Sequence, residues 1–209
     1  MKDLIEIYKK TFAFNFTYLL VLIISIFSLF YWDKTQIHFF INQLHNQYLN
    51  IFFKYITYLG SGWTLVIIML ALAIKYKTKA GGLLLSSLLF TFIVQILKHS
   101  INEFRPVKYF ELFHPDIQLY IVEGVKIHYN NSFPSGHTAT AFAIFFFLAF
   151  LTDKKLLQIS FAILALLIGF SRIYLSQHFL LDIVVGSLIG YLSSYIGIWW
   201  TMKREKISI

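Results

Sequence analysis

Six ionisable side chains stand at the borders of apolar runs in this sequence: Lys98, Arg105, His137, Arg172, His178 and Asp182. Charged groups near a membrane core are costly and tend to be kept for a task. His178 and Asp182 lie four residues apart at the opening of the last apolar run, so a helix points both from one face. A carboxylate beside one ring nitrogen fixes the tautomer and leaves the other nitrogen unprotonated and nucleophilic. Lys98 and Arg105 are seven residues apart, and a helix continuing past the bilayer brings both cations onto nearly one face before Pro106 stops it. His137 follows Pro134-Ser135-Gly136, a polar turn at the start of another apolar run, where Ser132, Pro134 and Ser135 are helix-start residues and free amides face an incoming anion. Three cations, a carboxylate-oriented histidine and a second histidine on a Ser-Gly turn predict a site for a tetrahedral oxyanion, with phosphate the foremost candidate.

The elements that position these groups are membrane helices. The chain has 209 residues, 58% hydrophobic and 13% charged, far below the roughly 25% charged of a soluble domain. Six stretches, near 12–32, 57–75, 80–99, 135–152, 156–174 and 179–201, are long and apolar enough to cross a hydrocarbon core about 30 Å thick. Gly60-Ser61-Gly62 interrupts the start of the second. The first lacks a small-x-small cleavage site and reads as a retained anchor. The expectation is an all-α, six-transmembrane-helix bundle forming a single integral membrane domain, 1–209. Eleven of the 18 Lys and Arg fall on one side of such a bundle, which predicts cytoplasmic termini and a site on the outer face. The net charge of +8 is then mostly topogenic, and nucleic acid is not an expected partner. Cysteine is absent, so disulfides and thiolate metal sites are excluded.

Three further features lie on the predicted outer face. Ile37, Phe40, Ile41, Leu44, Tyr48 and Ile51 recur at helical spacing opposite His38, Asn42, His45 and Asn46, the pattern of one interfacial helix with a solvated polar face. His38 and His45 have no accompanying carboxylate and are not read as metal ligands. In the loop over 101–133, IQLYIV and VKIHY flank Glu123-Gly124 and predict a small hairpin. Its aromatic residues, Tyr109, Phe110, Phe113, Tyr120, Tyr129 and Phe133, predict a lipid-facing lid. The triplets Asn15-Phe16-Thr17 and Asn130-Asn131-Ser132 resemble glycosylation sites by chance. Gly186 and Gly190 predict close helix approach, and Trp32, Trp63, Trp199 and Trp200 interface anchors.

Two other chemistries use the same residues. A transporter also keeps intramembrane charges, but here they cluster at one face instead of forming a ladder. A zinc hydrolase could take His137, His178 and Asp182 as ligands, against the repulsion of three nearby cations.

The residues also resemble a known family. Lys98, Arg105 and Pro106 match KxxxxxxRP, Pro134-Ser135-Gly136-His137 match PSGH, and Ser171, Arg172, His178 and Asp182 match SRxxxxxHxxxD, the three motifs of the type 2 phosphatidic acid phosphatase (PAP2) superfamily. Every fixed position agrees, in order and in internal spacing, over 98–182. The resemblance implies a bacterial inner-membrane enzyme that hydrolyses a lipid phosphate or diphosphate at the periplasmic face. Undecaprenyl diphosphate, phosphatidylglycerophosphate, phosphatidic acid and lipid A phosphates are the candidate substrates, and phosphoryl transfer to another lipid is the alternative. It implies His178 as nucleophile, Asp182 as its orienting partner and His137 as general acid and later base. Lys98, Arg105 and Arg172, with the Ser135 hydroxyl and the Gly136 amide, would hold the phosphate, and neither metal nor cofactor is required. Vanadate-dependent haloperoxidases resemble the same motifs but are soluble, which six spans argue against.

Overall fold

A computed structural model describes residues 2–207. Among the described residues there is no strand. The helices are α1 (Lys2–Lys10), α2 (Phe12–Tyr31), α3 (Lys34–Asn42), α4 (Gln47–Ile56), a 3-10 turn (Thr57–Gly60), α5 (Gly62–Lys75), α6 (Lys77–Ile101), α7 (Pro106–Phe113), α8 (Gly136–Phe150), α9 (Lys155–Tyr174) and α10 (Leu180–Ile207).

A helix that is apolar all round must be buried all round. That is the position of α8, whose Ala139, Ala141, Ala143, Ile144, Phe146 and Phe147 are sealed from solvent. α10 and α9 pack against it most extensively, α6 packs on both α8 and α10, and α2 lies on α9. Tyr18 and Phe14 of α2 meet Phe142 and Phe146 of α8 with ring centroids 4.7 and 5.2 Å apart. The opposite side of α2 leaves Phe16, Ile23 and Phe30 exposed, as a lipid-facing surface requires. Small residues bring α10 onto α8: a Cβ at Gly186 would sit 2.5 Å from the Ser135 carbonyl oxygen, and one at Gly190 would collide with the Ala139 carbonyl. At the far end the first and last helices meet through Lys203 and Asp3, 2.8 Å apart.

Four helical segments, starting at Phe12, Lys77, Lys155 and Leu180, are long and apolar enough to cross a membrane, and the α4 to α5 segment adds a fifth if its two parts, bent by 52°, count as one span. The sixth apolar stretch is α8, whose 15 residues rise only about 22 Å. The chain is a multi-pass membrane protein whose apolar helices coincide with all six stretches expected from the sequence.

Three local expectations are corrected. The hairpin does not form: Glu123-Gly124 is a turn, with Gly124 at φ 71° and the Val125 N–H donating to the Val122 carbonyl at 3.2 Å, but its flanks make no ladder. Instead the segment is tied elsewhere, and its start folds as α7, over a cavity of about 600 Å³. The interfacial helix is two helices, broken after Asn42 and restarted by the Asn46 side chain, which accepts from the Leu49 N–H at 3.0 Å. Its supposedly solvated face is partly inward, since His38 and Asn42 are buried whereas Phe40 and Tyr48 are exposed. Finally, α6 ends at Ile101 because Asn102 turns left-handed (φ 43°). Pro106 therefore does not stop that helix but starts α7, at the first helical position where its missing N–H costs nothing. Lys98 and Arg105 do not share a helical face.

Candidate active site

The last turn of α9, the first turn of α10 and the five residues between them carry half of the site. The carbonyl of Arg172 accepts from the Gln177 and His178 amides at 2.9 and 3.1 Å, curling 175–179 back over the end of α9. This curl needs Ser176 at φ 52°, a conformation L-residues avoid. The side chains of α3 meet that residue: His38 Nε2 lies 3.2 Å and Asn42 Nδ2 3.4 Å from the Ser176 hydroxyl.

His178 is buried at the end of the curl, with Nδ1 3.3 Å from Asp182 Oδ2. The carboxylate is held more tightly than that distance suggests. The same oxygen accepts from the Ser132 hydroxyl at 2.5 Å and from the Phe179 N–H at 3.0 Å. Burial first, then the fields of Arg105, Arg172 and Lys98, hold the His178 pKa well below its ordinary value. His178 is therefore neutral, and with Nδ1–H donating to Asp182 its Nε2 lone pair is free.

The second half is the start of α8. Ser135 caps this helix, its Oγ accepting from the Thr138 N–H at 3.3 Å and the Thr138 hydroxyl at 2.9 Å. The Ser135 N–H donates to the Asp182 carbonyl at 3.0 Å, which locks the two halves together. Gly136 supplies the first helical amide, and His137 stands half-buried within electrostatic range of His178.

All three motif cations converge on this pair. Arg172 is buried; its Nη1 donates to Thr57 Oγ1 at 2.7 Å, and its Nε has no partner. Arg105 donates from Nη1 to the Gln177 side-chain oxygen at 3.1 Å and from Nε to the Asn130 carbonyl at 3.0 Å. Lys98 Nζ donates to the Asn131 carbonyl at 2.5 Å. The structure thus brings together Lys98, Arg105, Ser135, Gly136, His137, Arg172, His178 and Asp182 from four segments far apart in sequence. A cradle of one buried and two half-buried cations around a carboxylate-oriented imidazole can stabilise the spread negative charge of a transferring phosphoryl group.

Residues 79–206 match the PAP2 superfamily. The chain belongs to that superfamily. It is similar over shorter stretches to three bacterial proteins. The first is a protein of Bacillus licheniformis described as bacitracin transport permease protein BcrC, 41% identical over 37% of this chain and 37% of that one. The second is a lipid A 1-phosphatase of Porphyromonas gingivalis, 37% identical over 33% of this chain and 16% of that one. The third is phosphatidylglycerophosphatase B of Bacillus subtilis, 32% identical over 31% and 36%. The matched region spans little more than a third of the length of these relatives at most. Among solved structures, Aquifex aeolicus LpxE aligns with a TM-score of 0.68 at 34% identity, over 78% of this chain and 93% of that one. A PAP2-type phosphatidylglycerolphosphate phosphatase of Bacillus subtilis aligns with a TM-score of 0.62 at 26% identity, over 96% and 98%.

Sequence reasoning missed Ser132, Thr57 and Gln177. Ser132 reads in the sequence as a helix-start residue and as part of a chance triplet, and neither reading points to the bond that its buried hydroxyl makes to Asp182. Gln177 sits beside His178 in a variable position of the third motif, and Thr57 precedes the glycines that interrupt the second apolar stretch.

Proposed function

We propose that this protein is a lipid phosphatase, hydrolysing a lipid phosphate or diphosphate through a phosphohistidine at the outer membrane face. The observation that carries the reading is the buried, neutral His178 held by Asp182 inside a ring of three cations. His178 Nε2 attacks phosphorus in line with the leaving oxygen, which takes a proton from His137. Lys98, Arg105 and Arg172 neutralise the non-bridging oxygens, and the Gly136 amide adds the positive end of α8. In the second step His137 accepts a proton from water, which cleaves the N–P bond and releases inorganic phosphate. Fixed cations do the neutralisation in this scheme, so no metal is required of it.

The excess of Lys and Arg at the other end of a six-span bundle supports cytoplasmic termini and an outward site. The similarity to proteins described as lipid A 1-phosphatase and phosphatidylglycerophosphatase B supports a phosphorylated lipid as substrate.

The test is phosphate release by the purified chain in detergent from prenyl diphosphate, phosphatidylglycerophosphate, phosphatidic acid and lipid A. Release should survive EDTA and be inhibited by orthovanadate, and rapid quenching with labelled substrate should trap an acid-labile, base-stable phosphoenzyme. Activity lost in chelator and restored by zinc would point to a metal hydrolase instead.

A further inference from the structure

Resting on the phosphatase reading, we propose that Lys126 and His128 form an outer anion subsite that takes the lipid-proximal phosphate of a lipid diphosphate. Neither residue belongs to the three motifs, and both are exposed on the segment that closes over the cradle.

The backbone of that segment is fastened at four points to residues already in the site. The Lys126 carbonyl accepts from Gln177 Nε2 at 3.2 Å, the Tyr129 carbonyl from the Arg105 N–H at 2.8 Å, and the Asn130 and Asn131 carbonyls from Arg105 and Lys98. Position 128 is therefore bracketed by anchors on both sides. Its imidazole lies within electrostatic range of Lys98, Arg105, Lys126 and Arg172 and of His137. Lys126 and His128 thus sit on backbone that is fastened to Gln177, Arg105 and Lys98, and add one cation and one donor beside the first three cations.

In-line transfer dictates what those two groups would meet. With His178 behind phosphorus, the leaving oxygen points away from it, toward His137. For a monophosphate the next atom is carbon, which needs no cation. For a diphosphate it is a second phosphorus carrying a further negative charge, which an exposed Lys and a His N–H can meet. The step balances: the Nε2–P bond to the terminal phosphorus forms as its bond to the bridging oxygen breaks. The bridging oxygen leaves on the lipid monophosphate with the proton of His137, and water then releases inorganic phosphate and returns the proton.

The experiment compares farnesyl diphosphate with farnesyl monophosphate, using the full chain in one detergent. Replacing both residues, Lys126→Ala with His128→Ala, should lower the ratio of kcat/KM for diphosphate over monophosphate about tenfold, the size of one charge-assisted contact at a partly solvated position. His128→Asn, which keeps a donor, should recover part of the ratio. An unchanged ratio in the double variant, or a wild-type chain that cleaves only the monophosphate, overturns the subsite. A wild-type chain that cleaves neither substrate sinks the phosphatase reading and the subsite with it.

Discussion

Ser132→Ala removes one methylene-borne hydroxyl and nothing else, in a pocket where that hydroxyl is buried and donates to Asp182 at 2.5 Å. A hydrogen bond to a charged group contributes about 1.5–3 kcal/mol. Asp182 keeps the Phe179 N–H at 3.0 Å and the His178 contact at 3.3 Å, so the carboxylate stays but loses its shortest tether. If the lost energy falls wholly on orienting His178, kcat should drop about 10- to 100-fold at one factor of ten per 1.4 kcal/mol, with little change in KM. The assay is initial-rate phosphate release from the best substrate of the panel. Ser132→Thr, which keeps the hydroxyl, should recover most of the rate. A double-mutant cycle with Asp182→Asn adds a second check, because two residues acting through one contact cannot give additive losses. Near wild-type kcat in Ser132→Ala, or a fully additive cycle, would show that Ser132 does not orient the catalytic pair.

His178→Ala should abolish turnover and trapping of labelled phosphate, whereas Asp182→Asn should leave a slower enzyme that still traps label, since only tautomer control is lost. Because His178 works neutral and its pKa lies well below the ordinary value, kcat/KM should show no loss assignable to it as pH falls from 8 to about 6, an unperturbed histidine titrating near 6.5; a His178 imidazole seen by NMR to titrate near 6.5 in the wild-type protein would refute this. Burial holds His38 at about 3, so between about pH 6.5 and that value the unfolded chain binds the extra proton. The part of the stability linked to His38 is then whole above 6.5 and declines below it by about 1.4 kcal/mol per pH unit, and His38→Gln should lessen the pH slope of melting curves in detergent by that share, leaving the share of His178. Asn42→Leu should cost about 2–4 kcal/mol of stability and lower kcat, because it strips the Tyr120 backbone of both partners, at 2.8 and 2.9 Å, and Ser176 of one; unchanged melting and turnover would show the tie to be idle.

The candidate residues were legible because they are of rare types in an apolar chain, and rarity at a membrane border is itself a signal. Their juxtaposition was not. Lys98 meets the site from the last turn of α6 and Arg105 from the extended residue before α7, since Asn102 breaks the register on which a shared face depended. The hairpin failed for a traceable reason: Tyr120 pairs its backbone with Asn42, and the Lys126 and Tyr129 carbonyls with Gln177 and Arg105, so the groups that a strand ladder would use are taken by side chains from elsewhere. β-propensity in this loop reported apolar residues that pack on the protein, Val122 in one cluster with Ile173 and Tyr174, not strand pairing. The polar face of α3 was assigned to water because soluble proteins put polar groups outside. Here Phe40 is the exposed residue, and His38 and Asn42 find their partners in the protein interior.

The carbonyls of Asn130 and Asn131 take one donor each from Arg105 and Lys98. A bilayer surrounds its enzymes with phosphodiester headgroups, each a singly charged phosphate present in enormous excess over any minor lipid. On the proposed reading, a headgroup that evicts either carbonyl from its cation removes a neutral acceptor and offers one charge in return, a poor exchange. A phosphomonoester end, with two charges and three unsubstituted oxygens, repays the eviction. On the proposed reading those hydrogen bonds would set a threshold that lets the protein ignore the lipid around it. Phosphatidylglycerol added to saturation should leave the KM for a monoester unchanged, and competitive inhibition by it would remove the threshold.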